Sequence, residues 1–424
     1  MLDIKAIRDD PERFRTALAR RNLADAVDRL LTGDERRRTL TTKVDELRAV
    51  QNKASKAIGR AEGDEKQQLI DEVARVSAEL KELEPQLAEA THLLNDLLAA
   101  TPNLPHESAP DGFTDEDAVE VRRHLEPPVF DFEPRDHVEL GTMLGVLDVD
   151  RGSRTSGSRF VYLLGDLVFV QMALMRHAMD ILVDKGFVPA IPPVMVREEA
   201  MYGTGFLPAD EAQLYTTTED ELYLVGTAEV PLAAFRMGEI LDETELPLRY
   251  AGYSTCFRRE AGTYGKDMGG MFRVHQFDKV EMFVFTTPEE SWNEHERLVS
   301  VEEEIISNLE VPYRVVNIAA GDLGGSAAKK YDIEAWLPGQ DRYRELTSCS
   351  NYLDYGARRA QTRVRRADGS VEVLHTLNGT ATAIGRTLIA LLENHQRADG
   401  SVALPAKLHP YLPDRVRELR PTGS

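Results

Sequence analysis

Only two of the 424 residues are cysteine, Cys256 and Cys349. That excludes a disulfide framework and a zinc site built on four thiolates, and it suits a reducing cytosol. No apolar run reaches the roughly 18 residues of a membrane span, so none is expected. The N-terminus, MLDIKAIRDDPERF, has no apolar signal core, and the chain is expected to be cytoplasmic. Positive charge is scarce: 51 Lys and Arg stand against 72 Asp and Glu, a net charge of −21. Taken alone, that balance argues against a nucleic-acid partner. Familiar motifs are missing too. GTYGK, at 262–266, lacks the earlier glycine of a phosphate-cradling loop, because position 260 is Glu. There is no GxGxxG after a strand, no HExxH and no EF-hand loop. Ser348-Cys349-Ser350 has no nearby His or Asp partner, so Cys349 reads as a small packed residue. His275 reads as a hydrogen-bonded strand residue rather than a metal ligand.

What is present fits a globular chain with a sizeable core: 42% of residues are hydrophobic and 29% charged. Asp9-Asp10-Pro11 marks a helix start within a short helical cap over 1–27. Leu40, Val44, Leu47, Gln51, Ala54 and Ile58 then recur at steps of four and three. After a break at Gly59–Asp64, Val73, Val76, Leu80, Leu83, Leu87, Ala90, Leu94 and Leu97 do the same. This predicts an antiparallel coiled-coil hairpin whose arms, roughly 35 residues each, extend about 50 Å. Pro85 predicts a bend. The two arms differ in charge. Residues 29–60 carry nine bases and four acids, whereas 62–98 carry three bases and ten acids. The basic arm either offers phosphates a positive stripe or pairs with the acidic arm across the seam. A Pro-rich stretch at 99–112 marks a boundary. The expected division is an N-terminal domain over 1–100, a linker over 101–135 and a second domain over 136–424.

In the second domain, 136–160 read as entry turns and edge strands, and 165–186 as an amphipathic helix. Phe187 to Val196 is apolar but punctuated by prolines, an edge strand that invites pairing with a second subunit. Tyr215–Asp220 reads as a polar loop, and Leu222–Val230 as a strand turning into a helix with Thr227 as cap. Phe257 to Phe283 reads as an antiparallel hairpin around a Gly-rich loop. Its charges are unusual. Arg258 and Glu260 share one face, and Glu281 stands in an apolar run. These charges mark either a ligand site or an ion pair on a solvated face. Arg342–Tyr355 reads as a strand becoming a loop that carries Ser348, Ser350 and Asn351. A helix from Ala381 to Gln396 would carry Arg386 in its second turn. Strands following strands with helices between them indicate an α+β fold on an antiparallel sheet. The remaining inventory is Arg258, Arg386, Glu260, Glu281, Glu345 and Glu229 with the hydroxyls of Thr227, Ser348 and Thr380. Arginines suit phosphates, and carboxylates suit Mg²⁺ or an amine. The set suits phosphoryl or nucleotidyl transfer without a covalent enzyme nucleophile.

Over nearly its whole length the chain resembles the bacterial seryl-tRNA synthetase family of class II aminoacyl-tRNA synthetases. The strand ending in Pro192-Pro193 resembles motif 1, Phe257-Arg258-Arg259-Glu260 through Phe277 motif 2, and Gly385-Arg386 motif 3. Thr227-Ala228-Glu229, the segment Glu345 to Asn351 and the helical arm resemble the seryl branch. The resemblance implies a class II catalytic core with an N-terminal coiled-coil arm. It implies that Arg258 and Arg386 are catalytic, Arg258 on the α-phosphate and the serine carboxylate, Arg386 on the γ-phosphate. Arg259, Glu260, Val274, Phe277, Glu345, Leu346, Thr347 and Ser348 would complete the ATP site. Glu345 and Ser348 would hold Mg²⁺. Thr227, Ala228, Glu229, Glu281 and Thr380 would surround L-serine. Arg36, Arg37, Lys43, Arg48, Lys53 and Lys56 would contact tRNA(Ser), a homodimer would form through motif 1, and a selenocysteine tRNA is a further candidate substrate. The family often has Ser where this chain has Arg259 and Thr380; Arg259 should then be peripheral, and Thr380 keeps the hydroxyl. The loop Tyr264–Gly270 is a candidate contact for the tRNA acceptor end. The rival is an aminoacyl-carrier-protein ligase on the same core, whose relatives lack the long arm.

Overall fold

The computed structural model describes residues 1–262 and 269–421. It divides into two compact units, Leu2–Pro102 and Asn103–Ser424, the latter joined by Met1.

In the first unit, short helices Ile4–Asp9 and Pro11–Ala19 precede two long ones, Ala26–Ile58 and Gly63–Ala100. Asp10 caps the second helix by accepting from the Arg13 amide, with Pro11 in its first turn. The long pair packs through the expected seam: Leu40, Val44, Ala54, Val76, Leu80, Ala90 and Leu94 are buried. Gln51, the polar seam position, donates to the Ser77 hydroxyl at 2.8 Å. The second long helix runs unbroken through Pro85. Two ion pairs cross the seam, Arg48–Glu84 at 2.7 Å and Arg36–Glu89 at 3.7 Å.

The second unit is built on an eight-stranded sheet. Its strands, in spatial order, are Val119–His124, Tyr313–Asn317, Lys329–Leu337, Arg342–Leu353, His375–Ala383, Gln276–Thr286, Leu248–Phe257 and Val188–Ala190. All neighbours are antiparallel except the last pair, which is parallel. Helices Asp166–Asp184, Ser291–Ser307 and Ile384–Asn394 pack against it. Central strand Gln276–Thr286 is buried on both faces, as a strand between two layers must be. Val280, Met282 and Val284 join the helix-side core, while Phe283 and Phe285 join a second core with Ala228 and Leu232.

Several expectations need correction. Residues 103–135 are not a free linker. Val119–His124 forms the edge strand of the sheet. Asn103 donates to the Ser326 and Tyr352 carbonyls at 3.0 and 2.9 Å. In 136–160 the expected strand is only Leu147–Asp148, paired with Tyr162–Leu163; the rest holds two helices, His137–Met143 and Val149–Ser156, capped by Asp136 and Asp148. Tyr215–Thr217 and Leu222–Leu224 pair as a hairpin in place of a polar loop. The Arg342 strand continues to Leu353, since its partners Lys329–Leu337 and His375–Ala383 hold Ser348, Ser350 and Asn351 in register. The strand carrying Asn378 and Thr380 likewise runs to Ala383, so Arg386 lies in the first helical turn.

Candidate active site

The hairpin of Leu248–Phe257 and Gln276–Thr286 floors a cavity of about 270 Å³. Arg258 and Glu260 lie just beyond the first strand rather than within it. Backbone pairing continues there: the Arg258 amide donates to the His275 carbonyl at 3.0 Å. His275 Nδ1 lies 2.9 Å from the Arg258 carbonyl, the structural role expected of it. Tyr264 and Gly265, in the loop expected to contact the acceptor end, lie outside the described residues.

Ten of the expected residues line the cavity: Arg258, Glu260, Val274, Phe277, Glu345, Leu346, Thr347, Ser348, Thr380 and Arg386. The Arg258 guanidinium donates to the Gly226 carbonyl at 3.1 Å and sits 5.3 Å from the Phe277 ring centroid. Arg386 donates to the Glu345 backbone carbonyl at 2.8 Å and lies 4.7 Å from the Phe272 ring centroid. Arg259 is exposed and lies off the wall.

Glu345 and Ser348 are three positions apart, which on a regular strand would face opposite ways. An extra residue in the pairing with Lys329–Leu337 breaks the register here, and both side chains reach the cavity. Burial raises the Glu345 pKa, but Lys330 and then Arg386 outweigh it and hold the carboxyl below its ordinary value. An ionised carboxylate beside a hydroxyl fits a hard cation such as Mg²⁺. Among the described residues no cluster of three or more His, Cys, Asp or Glu could hold a metal alone.

Thr227, Ala228, Glu229 and Glu281 are buried and lie off the cavity wall. Asn378 Nδ2 bridges the two carboxylates, donating to Glu229 at 3.0 Å and Glu281 at 3.1 Å. Thr380 donates to Glu281 at 3.4 Å, and the Thr227 hydroxyl accepts from the Glu229 amide at 3.1 Å. Burial, then the Glu281 charge, raises the Glu229 pKa to about 7. Glu281 is ion-paired with Lys279, but the pair is buried and does not lie on a solvated face.

Sequence reasoning missed several residues. Arg273 pairs with Glu260 at 2.8 Å, and Lys330 with Asp332 at 2.9 Å; both cations line the cavity. Lys279 was signalled by its spacing, two residues from Phe277 and two from Glu281. Glu302, on helix Ser291–Ser307, gave no signal. It is buried beneath the sheet and accepts from the Thr347 hydroxyl at 2.9 Å. The cavity is thus cationic although the whole chain is acidic, a suitable lining for a polyphosphate.

Two family profiles match the chain. The seryl-tRNA synthetase N-terminal domain covers residues 1–105, and the class II tRNA synthetase core domain (G, H, P, S and T) covers 213–395. A serine–tRNA ligase of Thermobifida fusca is 48% identical over 413 residues, 97% of each chain. The chain belongs to the seryl-tRNA synthetase family. A second family member, the serine–tRNA ligase of Acidothermus cellulolyticus, is 49% identical over 99% of this chain and all of its own. Among solved structures, seryl-tRNA synthetase from Pyrococcus horikoshii complexed with ATP superposes with a TM-score of 0.93 at 42% identity, covering both chains fully. The α+β core on an antiparallel sheet is therefore that of the seryl-tRNA synthetase family.

Proposed function

We propose that this chain is a serine–tRNA ligase that activates L-serine with ATP and transfers it to tRNA(Ser). The observation that carries this reading is the position of Arg258. Its guanidinium lies over Phe277 in a cationic cavity, at the edge of the buried Glu229–Asn378–Glu281 cluster. A single cation there can bind the α-phosphate and the amino-acid carboxylate together, which holds the attacking oxygen near phosphorus. The serine carboxylate oxygen forms a bond to the α-phosphorus, and the bond to pyrophosphate breaks. The terminal tRNA hydroxyl then attacks the adenylate carbonyl and releases AMP. Arg258 and Arg386 neutralise phosphate charge, Phe277 and Glu260 take the adenine, and Val274 and Leu346 with Thr347 wall the nucleotide. No strong protein base is needed, because the nucleophile is already ionised. Mg²⁺, when bound, supplies charge neutralisation on the transferring phosphates; Glu345 and Ser348 would hold it. Thr227, Ala228, Glu229, Glu281 and Thr380 surround serine.

In the arm, Lys43, Lys53 and Lys56 are exposed and have no acidic partner among the described residues. They fit a phosphate stripe better than Arg36 and Arg48, which pair across the seam, or Arg37, which pairs with Asp34 at 2.8 Å. The edge strand supports a homodimer: Val188 is 55% exposed and nearby Ile191 86%. Among the described residues no helix is long and apolar enough to cross a membrane; a cytoplasmic enzyme is proposed. Selenocysteine tRNA remains a second candidate substrate. Charging of tRNA(Ser) with labelled serine tests the reading; adenylate formation without transfer would favour the carrier-protein ligase.

A further inference from the structure

His137 and Glu393 form a buried pair that the chemistry above does not use, and neither lines the cavity. Glu393 stands in the last turn of helix Ile384–Asn394, whose first turn carries Arg386. Its carboxylate accepts from the His137 amide at 3.1 Å and the Gly339 amide at 2.9 Å, and His137 Nδ1 lies 3.0 Å from it. The other ring nitrogen, Nε2, accepts from the Met271 amide at 3.2 Å. An amide N–H can only donate, so Nε2 carries no proton and Nδ1–H donates to Glu393. At Gly270 the backbone has φ +73°, and a Cβ there would overlap Nε2. Only glycine lets the chain pass so close to the imidazole. Met271, Phe272, Arg273 and Val274 then form part of the cavity wall. The Arg344 and Arg386 guanidiniums lie 3.9 and 4.7 Å from the Phe272 ring centroid, and Arg273 pairs with Glu260.

We infer that His137 is a positioning residue for ATP: held by Glu393, it fixes the Met271 amide and so sets the wall segment Met271–Val274 against helix Ile384–Asn394. This rests on the ligase reading above. His137 and Glu393 act through Met271 and not by touching nucleotide. Both ends of one helix then serve the same ligand. The first turn supplies Arg386, and the last fixes the segment that carries Phe272 and Arg273. A buried imidazole with both nitrogens engaged has one orientation, so the wall is in place before ATP arrives. Without the Nε2 acceptor, the Met271 amide would be left unpaired or would move to reach another partner, and Phe272 and Arg273 would move with it.

The test uses the full chain, ATP–pyrophosphate exchange and thermal melting. Asparagine can place an N–H where Nδ1 stands but has nothing at the place of Nε2. Glutamine can place an acceptor oxygen there but loses the link to Glu393. His137→Asn should raise the ATP KM about tenfold, the worth of one net hydrogen bond, and melt near the wild-type temperature. His137→Gln should keep the ATP KM within about twofold while melting lower. In both variants the serine KM should stay within about twofold of the wild type. A merely structural role would make the ATP KM follow the melting temperature, and that outcome would overturn the inference. Equal ATP KM in the two variants, or a serine KM rising with that for ATP, would overturn it too. If His137→Asn does not fold, Gly270→Ala disturbs the same contact from the loop side. It should raise the ATP KM; an unchanged ATP KM would overturn the inference. Failure of the wild-type chain to activate serine would instead remove the functional reading, and this inference with it.

Discussion

Arg386 Nη1 donates to the backbone carbonyl of Glu345 at 2.8 Å and lies 3.3 Å from its carboxylate. One guanidinium thus links the first turn of helix Ile384–Asn394 to the bulged strand that carries the proposed Mg²⁺ ligands. Glu345 occupies part of the charge that a phosphate would take.

Arg386→Ala should therefore lower ATP–pyrophosphate exchange by about 100-fold or more, the usual effect of removing one preorganised charge-stabilising donor. The side chain is only partly buried, so the melting temperature should change little. Exchange near the wild-type rate with intact folding would refute the role given to Arg386.

Glu229 should make stability and serine binding depend on pH. Its carboxyl titrates near 7 when folded, against an ordinary value of 4.5. Between those values the folded state holds more protons, so this contribution is present below pH 4.5 and is lost as pH rises to about 7. A gap of about 2.5 pH units corresponds to about 3 kcal/mol. Glu229→Gln cannot ionise, and urea melts of the free enzyme should show it gaining on the wild type from pH 5 to pH 8. Serine's ammonium favours the ionised form, so the wild-type serine KM should fall as pH rises through 7. Equal pH profiles for the two proteins would contradict this.

Glu302 is fully buried, and burial pushes its pKa well above the ordinary value. A carboxyl whose neutral form is favoured by burial should tolerate Glu302→Gln with little change in thermal melting. Glu302→Ala leaves a void and an unpaired Thr347 hydroxyl, and should cost about 2–4 kcal/mol. If the Gln variant were as damaging as the Ala variant, Glu302 would have to be ionised.

Changing Lys43, Lys53 and Lys56 together to Ala should weaken charging of tRNA(Ser) while sparing serine activation. The logarithmic salt dependence of tRNA binding should become shallower by up to about 3 units, about one for each phosphate no longer neutralised. Arg48→Ala should matter less, since Glu84 already holds that guanidinium. An unaltered tRNA KM and salt slope would exclude the stripe.

The sequence showed most where one local pattern decided the outcome. Heptad steps placed the arm helices, and a Gly-rich turn between alternating runs placed the hairpin under the cavity. Long-range register was hidden. Glu345 and Ser348 share a face only through the irregular pairing with Lys329–Leu337. Glu302 is one of three consecutive glutamates, and only the helix's packing shows which of them is buried. Lys279 was visible as spacing, but a lysine in an apolar strand gives no sign that its partner is two residues away. The strand carrying Ser348 to Asn351 looked like a loop because small polar residues there are held by neighbours distant in sequence.

Amino-acid-dependent ATP–pyrophosphate exchange, run across all twenty amino acids with the full-length chain, tests the central claim most directly. Serine alone should support rapid exchange, and only with Mg²⁺ present. Exchange driven by another amino acid, or by none, would contradict the account.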